Sequence, residues 1–267
     1  MKGHLHLTAS AGPGGRTFLS SQSFRAPLHL SKPHNDGAAL VVNVVNPTAG
    51  LFDGDEVLMR AVVETGAHAV LTTPSAGRVY RSRSGTPAVV SQEVNVHAGG
   101  FAEYFPELFI PQSGSRYRQS TTLRVAPGGR LLFCEWLAPG RVAGGEAFSY
   151  EELIWDTDVW CGERLAVRER YRLSPDDDSL TSLRAISPVA HYLGFFVIGW
   201  PAWPEAELDA VTAGGVYAGH GPLPGVGGNY VIKALCPDSL SARATQRHIR
   251  SLLYGVLGTP EPALRRM

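Results

Sequence analysis

Alternation with a period of two runs through the middle of the chain. Between Arg164 and Leu173 one face reads Leu165, Val167, Glu169, Tyr171 and Leu173, and the other Arg164, Ala166, Arg168, Arg170 and Arg172. That is the pattern of a strand with one buried face and an arginine-bearing outer face. Val90, Gln92, Val94 and Val96 alternate in the same way with Val89, Ser91, Glu93, Asn95 and His97, in a more mixed strand. Three stretches, Glu64-Thr-Gly-Ala-His-Ala-Val-Leu, His97-Ala-Gly-Gly-Phe-Ala-Glu-Tyr and Ala126-Pro-Gly-Gly-Arg-Leu-Leu-Phe, share one plan, and Trp160-Cys-Gly-Glu-Arg-Leu-Ala-Val follows it more loosely. In each, a strand runs into a glycine turn and a second strand leaves it. The turn glycines Gly66, Gly99, Gly128 and Gly162 recur at about 30 residues, the period of stacked hairpin units that bury their apolar faces on one another. Ordinary glycine turns of a β protein give the same signal. At the C-terminus the period changes: Ile249, Leu252, Leu253, Val256 and Leu257 recur at helical spacing, with His248 beside them. A helix is expected over about 239–257, capped by Asp238 or Ser239 and stopped by Gly258 and Pro260, its apolar stripe packed on the core.

Composition narrows the function classes. The 267 residues suffice for a self-supporting core and read as a single domain over 1–267. With 24 basic against 24 acidic residues the net charge is zero, which disfavours a nucleic-acid partner bound through its phosphates. Charged residues make up only 18%, a composition suited to a protein that lives in complexes. Cys134, Cys161 and Cys236 form neither a CxxC pair nor an even set, so a reducing compartment fits better than a disulfide framework or a zinc site. No signal-peptide pattern opens the chain, and the longest apolar run, Tyr192 to Trp200, is too short to span a bilayer. A cytoplasmic protein without membrane contact is expected.

Motifs of common enzymes are missing. There is no phosphate-cradling loop of the GxxxxGK type, no GxSxG elbow and no HExxH helix. The Gly225-Val-Gly-Gly-Asn-Tyr stretch departs from GxGxxG and lies in a Pro/Gly loop. His4 and His6 are the one close histidine pair, on one side of an N-terminal strand. Spacing alone pairs no nucleophile with a base, so a non-catalytic role is expected.

Four ordered blocks carry a family resemblance. Asn46-Pro-Thr-Ala-Gly-Leu-Phe-Asp-Gly-Asp55 resembles the Pro-Gly-Gly-Leu-x-x-Gly-Asp stretch of the UreD (UreH) urease accessory proteins. Thr72-Thr-Pro-Ser-Ala-Gly-Arg-Val-Tyr-Arg-Ser82 is similar to the Thr-Thr-x-x-(Ala/Ser)-x-(Lys/Arg)-x-Tyr-Arg-Ser block of that family, and Glu103-Tyr-Phe-Pro-Glu-Leu-Phe-Ile-Pro111 to its Glu-(Tyr/Trp)-Leu-Pro-x-(Pro/Glu)-x-Ile-Pro segment. Gly140-Arg141, with Gly145-Glu146 and Phe148 after it, matches a Gly-Arg-x-x-x-Gly-Glu-x-Phe element. The match is firmest over 46–173 and returns near Lys233 and in the final helix. Ala49 stands where glycine is usual, Phe105 where leucine is usual, and an Ala138-Pro139 pair precedes Gly140.

The resemblance implies an antiparallel β stack, β-helical or sandwich-like, with a few helices. It implies a scaffold that contacts apo-urease on one side and the accessory proteins UreF and UreG on the other, UreG being the GTPase. It also implies delivery of nickel and support of active-site lysine carboxylation, with no permanently bound cofactor and nickel only in transit. The residues add candidates. Asp53, Asp55 and Glu56, with Glu103, are expected to line a polar path for nickel or to meet urease, oxygen donors being suited to exchange rather than storage; a plain Asp53-Gly54-Asp55 turn is the competing reading. Arg78, Tyr80 and Arg81 suit an interface, as do Glu107, Arg141 and Glu146, although Arg141 and Glu146 also read as a structural ion pair. Asp176-Asp177-Asp178 reads as a solvated turn. The rival function is a β-sandwich hydrolase or small-molecule-binding module, with the aromatic Tyr192 to Trp203 segment lining the pocket.

Overall fold

Five strands lie side by side in parallel in a first sheet: Lys2–Ala11, Glu56–Val63, Ala88–Val96, Arg116–Val125 and Glu152–Cys161. Four more, Ala39–Val45, His68–Thr72, Phe101–Phe105 and Arg130–Leu137, form the parallel centre of a second sheet. The chain alternates between the sheets, so the first four coils each give one strand to each sheet, Glu152–Cys161 adds a fifth to the first, and the two sheets enclose a common core. The result is a short β-solenoid. This computed structural model describes residues 1–48, 50–175, 178–225 and 227–264; Ala49, Asp176 and Asp177 lie outside the described residues.

Three coils pass from the first sheet to the second at a glycine corner. Gly66, Gly99 and Gly128 have φ of 75°, 71° and 79°, a left-handed conformation that glycine alone adopts freely. The corners stack: the Gly66 N–H donates to the Gly99 carbonyl at 3.2 Å, and the Gly99 N–H to the Gly128 carbonyl at 3.0 Å. Gly100 is required for a different reason, since a Cβ there would lie 2.8 Å from the Glu64 carbonyl oxygen of the neighbouring corner.

The thirty-residue spacing is therefore true structural repetition. Three of its four turns are corners rather than hairpins, because the strands on either side belong to different sheets and pair in parallel with their counterparts one coil away. Only the Gly162 turn makes a hairpin, joining Glu152–Cys161 to Arg164–Leu173. The expected antiparallel pairing is thus confined to the periphery. Thr17–Arg25 runs antiparallel on Lys2–Ala11, and His191–Ile198, Tyr230–Cys236 and Tyr217–Pro222 extend the second sheet antiparallel from Arg130–Leu137. Arg164–Leu173 shows the alternation read from its sequence, with Arg164, Arg168, Arg170 and Arg172 exposed.

A helix at Ser239–Leu257 packs on the outer side of the second sheet. The Asp238 carboxylate caps it, accepting from the backbone N–H groups of Leu240 at 2.9 Å and Ser241 at 2.7 Å, and Gly258 ends it at φ 63°. Ile249 and Leu253 are buried in a core with Leu132, Trp136, Phe195 and Trp200, so the apolar stripe is core. Phe105, the residue that stands where leucine is usual, is buried in the same layer. No helix among the described residues is long and apolar enough to cross a membrane.

Candidate functional site

Between the two sheets the inward-facing positions change character along each strand. In Ala88–Val96 they run Val90, Gln92, Val94; in Arg116–Val125, Tyr117, Gln119, Thr121, Leu123; in Glu152–Cys161, Leu153, Trp155, Thr157, Val159. Stacked in parallel register, these residues form a polar belt between two apolar clusters, one near the glycine corners and one at the opposite edge. Glu135 and Tyr104 face the belt from the second sheet. Its hydrogen bonds run Tyr117 Oη–H to Gln119 Oε1 at 2.7 Å, then Gln119 Nε2–H to Thr121 Oγ1 at 3.2 Å. Trp155 Nε1–H and Thr157 Oγ1–H both donate to Glu135 Oε1, at 2.8 and 2.9 Å.

Two acceptors of the belt, Glu135 Oε2 and Gln92 Oε1, are buried with no hydrogen-bond partner among the described residues. Such an oxygen costs about 1–3 kcal/mol unless a water or a cation meets it, so the belt is built to take a polar guest. Burial raises the Glu135 carboxyl to about 7, outweighing the hydrogen bonds from Trp155 and Thr157 that lower it. Burial also raises the Tyr104 phenol to about 12, so it remains protonated at neutral pH.

The belt lines a cavity of about 160 Å³ whose rim includes Asn46, Thr73, Ser75, Arg78 and Glu107. That volume holds several water molecules or a hydrated cation. A second cavity of about 150 Å³ meets the first at Glu135 and Trp155 and is otherwise apolar, lined by residues such as Phe148, Tyr150, Leu180 and Tyr192.

The motif loops build the edge on which the first cavity opens. Leu51 N–H donates to the Arg78 carbonyl at 2.8 Å and Tyr80 N–H to the Leu51 carbonyl at 2.9 Å, so the first two blocks are stitched together. Gly77 N–H donates to the Leu108 carbonyl, Ala138 N–H to the Phe109 carbonyl and Phe148 N–H to the Pro139 carbonyl, adding the third and fourth. Loops stacked on rigid strands in this way are the usual place for binding residues.

Arg78 and Glu107 thus meet at the cavity rim, as candidates read from separate motifs. Tyr80 lies beside them, its ring stacked on Phe52 at 4.9 Å. Arg81 is exposed and lies across Gly114. Arg141 and Glu146 form the ion pair, at 2.5 Å, on an exposed two-stranded loop.

The acidic candidates are not gathered around one point. Asp53-Gly54-Asp55 is a turn, with Gly54 at φ 71°. Asp53 accepts from the N–H groups of Ser84 at 2.9 Å and Arg83 at 3.1 Å, and the Ser84 contact is the main cause of its lowered pKa. Asp55 is buried and accepts from Phe52 N–H at 2.9 Å and the Met1 amino group at 2.6 Å. Glu56 pairs with Lys2 at 3.0 Å on the surface.

Glu103 points the other way. Its neighbours Ala102 and Tyr104 face the inter-sheet space, whereas Glu103 lies under the C-terminal helix, in a bidentate pair with Arg250 and with Tyr254 Oη–H donating to Oε2 at 2.6 Å. Among the described residues no three His, Cys, Asp or Glu side chains are grouped to hold a metal.

Sequence reasoning missed Glu135. Its signal was present, a single carboxylate inside the apolar run Leu131-Leu-Phe-Cys-Glu-Trp-Leu137 that forms a central strand.

The family described as UreD urease accessory protein matches the chain over residues 1–267. A urease accessory protein UreD of Opitutus terrae is 38% identical over 257 residues, covering 94% of this chain and 93% of the relative. That of Actinomyces naeslundii is 30% identical, covering 99% and 98%, and that of Klebsiella pneumoniae 27% identical, covering 95% and 90%.

Proposed function

Because the chain belongs to the UreD urease accessory family, we propose that it is a non-catalytic cytoplasmic scaffold that joins apo-urease to UreF- and UreG-type partners and passes nickel between them. The observation that carries this reading is the cavity between the sheets, mostly apolar but carrying Glu135, Gln92 and Gln119 on its wall and opening on an edge made of the motif loops. A carboxylate and two amides on the wall of an interior cavity are more than a core needs, and suit a cation in passage. Its donors are oxygens: Glu135, the amides of Gln92 and Gln119, and the phenols of Tyr104 and Tyr117. Such ligands release a divalent ion more readily than thiolate or imidazole clusters. The Cys134 thiol is pushed well up by burial and stays protonated, so it offers no competing thiolate.

The acidic loop takes a supporting part in this reading. Asp53 and Asp55 hold the loops that frame the edge, while Glu56 and Arg81 on the surface and the half-buried Arg78 and Tyr80 at the rim serve as partner contacts. The transport path follows the polar belt rather than a line through Glu103.

The test is reconstituted activation of apo-urease with the full set of accessory proteins, reading both complex formation and urease nickel content. Glu135→Gln keeps the shape and the acceptor for Trp155 and Thr157 but removes the charge. It is expected to assemble normally and to lower nickel loading severalfold. Full loading by a Glu135→Gln, Gln92→Leu double variant that folds and assembles would refute the cavity as the path. Failure of the unmodified chain to bind its partners would refute the scaffold role itself.

A further inference from the structure

A groove of about 590 Å³ runs along the C-terminal helix beside the cavity rim, and one of its walls is an acidic segment of the chain itself. This segment follows the helix. The Glu261 carboxylate accepts from Arg250 and from Ser251 Oγ–H, the latter at 2.6 Å, and the Pro262 carbonyl accepts from Arg250 at 3.0 Å. The Ala263 N–H donates to Asp36 at 2.7 Å. An extended Pro-Glu-Pro stretch is therefore bound through its carboxylate to an arginine of the helix.

The Arg243–Arg247 half of the groove repeats the recognition element away from this segment. Arg243 and Arg247 precede Arg250 by seven and three positions, so all three lie along one side of the helix. Arg247 is exposed and makes no ion pair among the described residues. Arg243 binds Glu107 through both terminal nitrogens, at 2.7 and 2.8 Å. Thr73, Pro106 and Glu107 line both this groove and the rim of the inter-sheet cavity.

We propose that the Arg243–Arg247 half of the groove is a docking site for an extended acidic segment of a partner protein. A carboxylate of that segment binds Arg247 and competes with Glu107 for Arg243. Planar guanidinium groups one helical turn apart suit carboxylates spaced along an extended strand. On the cavity reading above, the same event detaches Glu107 from its arginine at the rim, so docking and opening of the path are one step. The docking itself does not depend on that reading.

Fluorescence anisotropy with a labelled peptide of alternating glutamate and proline, added to the full chain without nickel or urease, tests the site. Saturable binding is expected, weakened at least about tenfold by Arg247→Glu, equivalent to about 1.4 kcal/mol. Arg118→Glu, on the outer face of the first sheet, is expected to leave it unchanged. A peptide with glutamine in place of glutamate should not bind. Absence of saturable binding, or equal weakening by Arg247→Glu and Arg118→Glu, would overturn the proposal. The cavity reading stands or falls separately, on nickel loading by the Glu135 variants.

Discussion

Replacing Glu103 separates a structural role from a metal-handling one. Its side chain is 0% exposed and that of its partner Arg250 3%, and Tyr254 adds a third member to the cluster. Burial and then the Arg250 charge lower the His68 imidazole to about 4, so the ring 3.3 Å from the Tyr254 hydroxyl stays neutral. Glu103→Gln preserves volume but leaves a buried guanidinium with Glu261 as its remaining carboxylate. Breaking a buried pair from one side typically costs about 3–5 kcal/mol, and the retained Glu261 contact places this case near about 3 kcal/mol. For a chain of this size that corresponds to a fall in Tm of about 6–12 °C, measurable by circular dichroism. The double change Glu103→Leu, Arg250→Met removes both charges together and should recover most of the loss, because apolar replacement of a whole buried pair is often neutral. Below its melting temperature the double variant should still support urease activation. Wild-type melting of Glu103→Gln would refute the energetic argument. A folded double variant unable to activate urease would show that Glu103 does more than hold the helix.

Glu135→Gln should change the pH dependence of stability. The folded chain keeps the Glu135 proton up to about 7, whereas an unfolded carboxyl loses it near its ordinary value of 4.5. This group's contribution is therefore fully present below about pH 4.5 and lost as pH rises through about 7, a difference of about 3 kcal/mol. The variant should be the more stable protein at pH 8 in urea melts, with the gap closing toward pH 5. Gly100→Ala should cost about 2 kcal/mol or more in the same assay, because its Cβ meets backbone oxygens of two stacked corners. Gly37→Ala, with positive φ and open space around it, should cost about 1 kcal/mol from backbone strain alone. Arg141→Ala should shift stability by less than about 0.5 kcal/mol, since its pair with Glu146 is on the surface and the arginine is 55% exposed.

Local periodicities were readable in the sequence, and long-range partners were not. The alternation in Arg164–Leu173, the glycine corners and the capped helix each follow from neighbouring residues, and all are found in the fold. Whether a glycine turn makes a hairpin or a corner depends on which sheet the next strand joins, and that is decided by pairing about thirty residues away. The mate of Glu103 is 147 positions distant, so a motif carboxylate looked available for metal when it is committed to Arg250. The polar belt was hidden for a related reason. Gln92, Gln119, Thr121 and Thr157 each look like unremarkable members of a mixed strand, and they become a lining only when parallel register stacks them. Glu135 alone was conspicuous, as a charge where the surrounding run predicts none.

The two hairpins that finish the first sheet decide how the solenoid can change in length. Thr17–Arg25 and Arg164–Leu173 reverse direction at either end, so the parallel stack presents no free parallel edge in that sheet onto which another molecule's coil could continue the same pattern. Between those fixed ends the coils that turn at Gly66, Gly99 and Gly128 meet through the same corner contact. A chain with one coil duplicated would keep both terminal hairpins and all its motif loops while lengthening the internal polar belt by one strand spacing, about 4.8 Å. Coil number is thus an evolutionary and engineering variable that sets how far the scaffold reaches, independent of the surfaces by which it is held.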